Sequence, residues 1–456
     1  MTEKKNHIMI EENSVPERKL DDSELEKQLQ EPPKLDPEVL ALLHAKQEEK
    51  APTGLQRDRS LNFGVVGLGQ AGARLSEICF QLGYDACAIN TAIQDLEFIA
   101  MPDKNKLLLP FALGGAGKEL DNGRQAVEQN ADLILGKLKE LFIRNEMMIL
   151  IVSGGGGTGS GGAEAMIGLL SALGKPIDVI YILPLDTDDA LSKHNAITTL
   201  GKLAKIASSD VISGLFVVDN AKIELLYPNL NKADFWTTAN NAIITPIHIM
   251  NMLSASASHL ESFDPMDFSR LITSGDCLTF GTMEVTNYKE TTAIAEAIML
   301  NMEKNLLSSD FNLKDTRLGG FLIVGSKKAL SELPAQNIHY ASHILNEICD
   351  FPQMTRGVYE IEDAGDDSIQ VYIMLGGLGL PAARIEIMKA EAEAQMKQIR
   401  EKEKTRASKM AVDYGSTGDT AKAQEIRRLI QQNKSGFGKL TANANSRPEI
   451  IDRRKR

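Results

Sequence analysis

The tightest constraint on this chain is the stretch Met147–Gly162, MMILIVSGGGGTGSGG, in which an apolar run, Met147 to Val152, leads straight into glycines. A run of about six apolar residues that stops at glycine predicts a buried parallel strand, and the pattern from Ala163 onward predicts a helix. Glycine lets the backbone come close to an anion, while the free N–H groups at a helix start carry the positive end of the helix dipole. Gly154, Gly155, Gly156 and Gly157, then Thr158, Gly159, Ser160, Gly161 and Gly162, supply adjacent amide donors and two hydroxyls. Phosphate groups are the guests that suit them. Glycine runs also serve as flexible linkers, but a linker does not sit between a hydrophobic strand and a helix.

Two further loops repeat the arrangement. Residues 61–75, LNFGVVGLGQAGARL, give a strand, then Gly67, Leu68, Gly69, Gln70, Ala71 and Gly72, then a helix. This is a literal G-x-G-x-x-G, the pattern of dinucleotide-binding dehydrogenases. Such an enzyme needs an Asp or Glu after the next strand to hold a ribose hydroxyl, yet the strand DACAIN ends in Asn90-Thr91. The third loop is Leu113-Gly114-Gly115-Ala116-Gly117-Lys118, ahead of a helix expected near Asn122. Strand 177–183 closes on Pro184-Leu185-Asp186-Thr187-Asp188-Asp189, and strand 214–218 on Asp219-Asn220. Strands alternating with helices predict an α/β fold, a doubly wound parallel sheet whose ligand binds beyond the carboxyl ends of its strands. All these loops fall at that edge. Three glycine loops on one edge imply a triphosphate, and none carries G-x-x-x-x-G-K-[ST], which disfavours a P-loop ATPase.

The 456 residues are 43% hydrophobic and 25% charged, with net charge −12. That composition predicts a globular chain of two or three domains whose acidic body does not bind bulk nucleic acid. No apolar run approaches the roughly 18 residues of a membrane span, and the first residues lack the apolar core of an export signal. Cys79, Cys87, Cys277 and Cys349 form no CxxC pair, which argues against zinc or a disulfide framework and fits a reducing cytoplasm.

Residues 1–59 read as a largely disordered extension with one short amphipathic helix, Asp36 to Leu43, which Asp36 would cap and Pro37 would begin. Residues 60–233 form the expected nucleotide domain, and 234–258 a largely apolar central helix. A second, smaller α/β domain with a mixed sheet follows over 259–380. A long charged C-terminal helix is expected over 381–411, with Ile385 and Met388 toward the body, then a flexible tail over 412–456 ending in Arg453-Arg454-Lys455-Arg456. Near the start of the central helix stand Asn240 and Asn241; a carboxamide both donates and accepts, which suits the edge of guanine and equally suits capping or solvent. Beyond it, Asp264-Pro265-Met266-Asp267 has the spacing of a capping box with proline at the first helical position; a pair of catalytic acids is the alternative.

Gly156-Gly157-Thr158-Gly159-Ser160-Gly161 resembles the tubulin/FtsZ signature, which is far more specific than G-x-G-x-x-G, and the similarity extends over residues 62 to 385 with the loops in the family's order. The resemblance implies a GTP/GDP site. Its phosphate loops would be Gly67, Gly69, Gln70, Ala71 and Gly72, then Asn90 and Thr91. Gly115, Ala116, Gly117 and Lys118 would follow near the γ-phosphate, then Gly155, Gly156, Gly157, Thr158, Gly159, Ser160 and Gly161. Asp188 would hold the ribose, Asn220 and Asn241 the guanine, and Asp264 and Asp267 would be the catalytic acids. It also implies a GTPase that polymerises head to tail, in which Asp264 and Asp267 of one subunit position water at the γ-phosphate held by the next. Backbone amides, Lys118 and Mg²⁺ would compensate the charge, with no metal held by protein side chains alone. Two positions depart from the cell-division members: Ser262 replaces an Asn and Ser192 an Arg. Val218–Lys222, Phe263-Asp264 and Leu378–Pro381 are more similar to the TubZ branch, plasmid- and phage-borne relatives that move DNA. That branch implies a cytoplasmic, DNA-segregating filament whose tail reaches a DNA-binding adaptor. The alternatives are an FtsZ-like division filament, a non-hydrolysing scaffold of the same fold, and an NAD-dependent dehydrogenase.

Overall fold

Apolar runs that end at polar or glycine-rich turns become the central strands of a sheet buried on both faces. The computed structural model describes residues 58–412 apart from 112–113, 228–230, 303–306, 308–309 and 362–363, so the expected helix at 36–43 and the tail beyond Val412 lie outside the described residues. The strands are β1 (Phe63–Leu68), β2 (Asp85–Asn90), β3 (Lys106–Leu108), β4 (Met147–Ser153), β5 (Ile177–Leu183), β6 (Gly214–Asp219), β7 (Cys277–Val285), β8 (Leu318–Gly325), β9 (Gln353–Glu360) and β10 (Ile369–Leu378). The helices are α1 (Gly69–Gln81), α2 (Ile93–Glu97), α3 (Leu120–Gln129), α4 (Ala131–Leu141), α5 (Thr158–Ser171), α6 (Ala190–Ala207) and α7 (Asn220–Leu226). They continue as α8 (Lys232–Ser254), α9 (Pro265–Ile272), α10 (Ala293–Leu300), α11 (Lys327–Glu332), α12 (Ala335–Ile348) and α13 (Ala382–Val412).

Successive side chains of a strand point to opposite faces, and both faces here are apolar. Val66, Leu150, Val179 and Tyr181 join one hydrophobic cluster with Met166 and Leu170 of α5 and Leu200 of α6. Val65, Ile149, Ile151, Ile180 and Ile182 join another with Leu75 of α1 and Ile243, Ile247 and Met250 of α8. Each such side chain contributes roughly 1.5–3 kcal/mol on burial. The strands expected in a second domain continue this same sheet. β7 pairs parallel with β6 through Leu215 to Cys277 and Phe216 to Leu278, giving the order β3-β2-β1-β4-β5-β6-β7-β10-β8-β9. Only β10 runs antiparallel to both neighbours, β7 and β8, so the sheet becomes mixed on that side.

Two elements differ from expectation in ways that shape the site. Helix α5 begins at Thr158, inside the glycine run, rather than at Ala163. The later glycines of that run are therefore packing residues: a Cβ on Gly161 would collide with the backbone of Leu120, and one on Gly162 would sit 2.7 Å from Val127 Cγ2, where α3 crosses α5. The central helix α8 ends at Ser254 and contains Pro246. Its far end is fixed beside the start of β1. The Ser60 and Ser254 hydroxyls are 2.8 Å apart, Leu61 N donates to Asn251 Oδ1 at 2.8 Å, and Asn251 Nδ2 donates to Leu61 O at 2.8 Å. Helix α13 packs Met388 and Ala392 into the body, with Ile385 against the same cluster, and from Met396 onward the chain forms a separate unit. All four cysteines are free and buried, and among the described residues no helix is long and apolar enough to cross a membrane.

Candidate nucleotide site

The carboxyl ends of β1, β2, β4, β5 and β6 open onto a cleft of about 450 Å³. Of the residues singled out from sequence, it gathers Gly69, Gln70, Ala71, Asn90, Thr91, Gly115, Ala116, Gly117, Lys118, Gly155, Gly156, Gly157, Thr158, Gly159, Asp188 and Asn220. Helices α1 and α5 both start there, at Gly69 and Thr158, so two sets of free amide groups and two positive dipole ends meet in one concavity. Gly69 has φ +78°, which disfavours any side chain. A Cβ on Gly157 would lie 2.7 Å from the Ala116 methyl, so glycine is what lets the 115–118 loop close over the 154–157 loop.

Polar side chains bind these loops to one another. The Asp95 carboxylate accepts from Gln70 Nε2 and from Asn90 Nδ2, both at 2.8 Å, and Asn90 Oδ1 accepts from Thr91 N at 2.8 Å. The hydroxyls of Thr91 and Thr158 are 2.7 Å apart, joining the turn after β2 to the start of α5. On the other rim, Lys118 adopts φ 62° and its ammonium donates to Asp189 Oδ2 at 2.5 Å and Ser192 Oγ at 2.8 Å. That hydrogen bond holds the Asp189 carboxyl below its ordinary range, helped by Ser192 N, which Asp189 accepts at 2.9 Å as the N-cap of α6. Asp188 Oδ2 accepts from Leu185 N at 2.9 Å, closing the turn that carries it to the cleft.

Several expected residues support the cleft from behind. Gly67 and Gly72 do not line it: a Cβ on Gly67 would collide with the carbonyl of Gly72, so this pair lets α1 fold back onto β1. Ser160 is buried and donates to Ser153 O at 2.8 Å and to Gly154 O, fixing the glycine turn, while Gly161 packs on α3. Asn240, and not the expected Asn241, is the carboxamide of α8 that lines the cleft, because one residue along a helix turns the side chain by about 100°. Sequence reasoning also missed Arg74, Asp95, Ser153 and Trp236, which line the same space. For Trp236 a signal existed: it stands four residues before Asn240, one helical turn away on the same face.

Asp264 and Asp267 lie at the other edge of the sheet. From Asn240 at the cleft, α8 runs about 21 Å to Ser254, and β1 runs the opposite way, its six residues spanning about 20 Å from Phe63 up to the cleft. Phe268 of α9 packs its ring 6.4 Å from that of Phe63, the first residue of β1, and 6.4 Å from that of Phe263, which pins the loop there. Asp264 Oδ1 accepts from Asp267 N at 2.8 Å, and Asp264 N donates to Asp267 Oδ2 at 3.3 Å, a reciprocal capping box with Pro265 at the first helical position. Asp264 is exposed and Asp267 partly so.

Residues 62–227, which include every element at the cleft apart from α8, match the GTPase domain of the tubulin/FtsZ family. This part of the chain is a tubulin/FtsZ GTPase domain. Among the chain's relatives, the tubulin-like protein CetZ of Pyrococcus furiosus is 26% identical over 324 residues, 69% of this chain and 84% of CetZ. The tubulin-like protein TubZ of Bacillus anthracis is 21% identical over 437 residues, 87% of this chain and 95% of TubZ. A GTPγS-form protofilament of TubZ from Bacillus thuringiensis serovar israelensis shares the fold with a TM-score of 0.68 at 16% identity, covering 78% of this chain and 96% of that one. Relatives named CetZ and TubZ thus both align with most of this chain. The Gly67–Gly72 pattern falls within the residues that match this GTPase domain, so it no longer favours a dehydrogenase.

Proposed function

We propose that the chain binds GTP in the cleft and hydrolyses it to GDP and phosphate as subunits stack head to tail into a filament. The observation that carries this reading is the separation of the cleft from Asp264 and Asp267 by the length of α8. A lone copy offers its phosphate cradle no acid from that pair, whereas a second copy stacked in the same orientation sets them over it. The amides of the glycine turns and the starts of α1 and α5 hold the phosphates, with Lys118 adding a positive charge. Trp236 offers an aromatic face to the base, Asn220 and Asn240 its hydrogen bonds, and Asp188 an acceptor for the ribose.

Of the two carboxylates that line the cleft, Asp188 is taken as the ribose acceptor, and Asp95 would share a Mg²⁺ with the phosphates, supplying charge compensation. In the stacked pair, Asp264 and Asp267 orient and polarise the attacking water, which suits phosphoryl transfer because positioning and charge compensation are most of its catalysis. Exposed apolar side chains stand on both edges, Phe98 and Leu225 near cleft residues Asp95 and Asn220, Leu260 and Met266 around the acids, as a contact between copies requires. Such a contact joins two different surfaces and therefore propagates as an open filament.

The cargo we propose is plasmid or phage DNA, reached through an adaptor that binds the basic residues Arg453–Arg456. Sequence similarity to TubZ supports it; similarity to CetZ is the reason the adaptor has to be tested directly. Phosphate release measured against protein concentration tests the central claim, with electron microscopy of the same samples. Turnover per subunit should rise steeply where GTP-dependent filaments form. Turnover per subunit that is the same at every dilution, or the absence of GTP binding, refutes it.

A further inference from the structure

The body-facing side of α13 carries charge as well as apolar surface. Arg384 is only 8% exposed, and its guanidinium reaches two acids that belong to two walls of the cleft. Nε donates to Asp219 Oδ2 at 2.6 Å, and Nη2 donates to Asp186 Oδ1 at 2.7 Å and to Asp219 Oδ1 at 3.4 Å. Asp186 sits in the turn that brings Pro184 and Asp188 to the cleft. Asp219 ends β6 and caps α7, accepting from Ala221 N at 3.0 Å, which seats the cleft residue Asn220. Two turns along α13, Glu391 accepts from Lys193 Nζ at 2.7 Å. Lys193 is 1% exposed, also donates to Asp186 O at 2.6 Å, and directly follows the cleft residue Ser192.

The charges are reciprocal. The helix gives a cation to two body acids and an anion to a body cation, with buried Met388 between them, so a shift of α13 by one residue would break both ion pairs. Burial raises the Asp219 carboxyl above its ordinary value, and the Arg384 guanidinium opposes that rise. Without the guanidinium this carboxyl would be buried with no cation, at the residue that caps α7. A planar fork meets both acids in one fixed geometry, whereas an ammonium is a compact point charge with freely rotating donors.

We propose that Arg384 is a positioning residue for the nucleotide: by bridging Asp186 and Asp219 it sets the ribose-side and base-side walls of the cleft against each other, and so couples nucleotide occupancy to the docking of residues 382–395. The inference rests on the reading of the cleft as a GTP site. The coupling is reciprocal by thermodynamic necessity. A nucleotide that holds Asp188 and Asn220 holds the two acids in place for α13, and a loosened α13 releases both walls.

The test uses the full chain below its assembly concentration, with GDP as ligand so that hydrolysis does not intervene. Calorimetry on the unaltered chain comes first, followed by Arg384→Leu, Arg384→Lys and, as control, Lys389→Gln, which changes an exposed charge on the same helix. Arg384→Leu should weaken GDP binding about tenfold or more, within the roughly 5- to 150-fold span of coupled sites. Arg384→Lys should fall between, and Lys389→Gln should bind like the unaltered chain. A second arm needs no variant, and so stands even if Arg384→Leu fails to fold. Saturating GDP should slow amide hydrogen exchange across 382–395 in the unaltered chain. A purely structural Arg384 would lower the melting temperature and leave the GDP affinity of the folded variants unchanged; that result overturns the proposal, as does exchange at 382–395 that ignores GDP. An unaltered chain that binds no guanine nucleotide overturns the nucleotide reading itself, a failure visible before any variant is made.

Discussion

The capping box at the start of α9 allows the chemical role of Asp264 to be separated from its structural one. The carboxylate proposed to act on water in a neighbouring subunit is also the acceptor for Asp267 N, at 2.8 Å. Asparagine caps a helix about as well as aspartate, whereas alanine cannot, so Asp264→Asn should leave stability within about 0.5 kcal/mol and Asp264→Ala should cost roughly 0.5–2 kcal/mol. The chemistry orders the variants differently, because neither replacement carries a carboxylate. A positioned general base is worth about 10²–10⁴ in rate, which is roughly 3–5 kcal/mol at about 1.4 kcal/mol per decade. Thermal unfolding measures the first effect; phosphate release above the assembly concentration measures the second, with pelleting to confirm that filaments are present. Asp264→Asn should melt, bind GTP and pellet like the unaltered chain, yet release phosphate at least about a hundredfold more slowly, from longer-lived filaments. Normal turnover in Asp264→Asn, or a loss seen only in Asp264→Ala and in proportion to its unfolding, would leave Asp264 as a cap and nothing more.

Trp236 is the chain's only tryptophan, so its emission reports on the cleft: GTP and GDP should change it saturably, and Trp236→Ala should weaken GDP binding about 5- to 150-fold, the equivalent of one stacked base. Unchanged affinity by calorimetry would detach the ring from the base. Asp178 is fully buried with no partner for either carboxylate oxygen, and burial pushes its pKa well above the ordinary value. The unfolded chain gives up that proton near pH 4 while the folded chain keeps it, so this group lowers stability as pH rises through the interval between the two values. Asp178→Asn should therefore match the unaltered chain below about pH 4 and gain on it by up to roughly 1 kcal/mol per pH unit above; denaturant unfolding from pH 4 to 8 would show a pH-independent difference if the reasoning fails. Deleting residues 413–456 should spare GTP-dependent pelleting and weaken co-sedimentation with a DNA-bound adaptor, and equal co-sedimentation would remove the tail from cargo capture.

Much of the site was legible because its parts are local. An apolar run that stops at glycine gives β4 and its turn wherever the segment lies in the chain, and the same holds for β1 with Gly69 and for the capping box of Asp264 and Asp267. Each needs only close approach of backbone atoms or a bond across three residues. The number of cleft loops was legible too, since strands alternating with helices leave their carboxyl ends on one edge. Single-residue phase was not. Asn240 and Asn241 are chemically identical neighbours, and only the packing of α8 against the sheet decides which one turns toward the cleft.

The sequence by itself thus determined the strands that end at the cleft, the phosphate-type loops and the family resemblance, because these follow from periodicity, glycine and capping within short segments. Tertiary structure alone decided that β7 extends the first sheet, that Lys118 meets Asp189 across 71 residues, that Arg384 meets Asp219 across 165, and that the acids stand a helix length from the cleft. Pairing of distant charges and edges depends on how whole elements pack, and no local pattern carries that information.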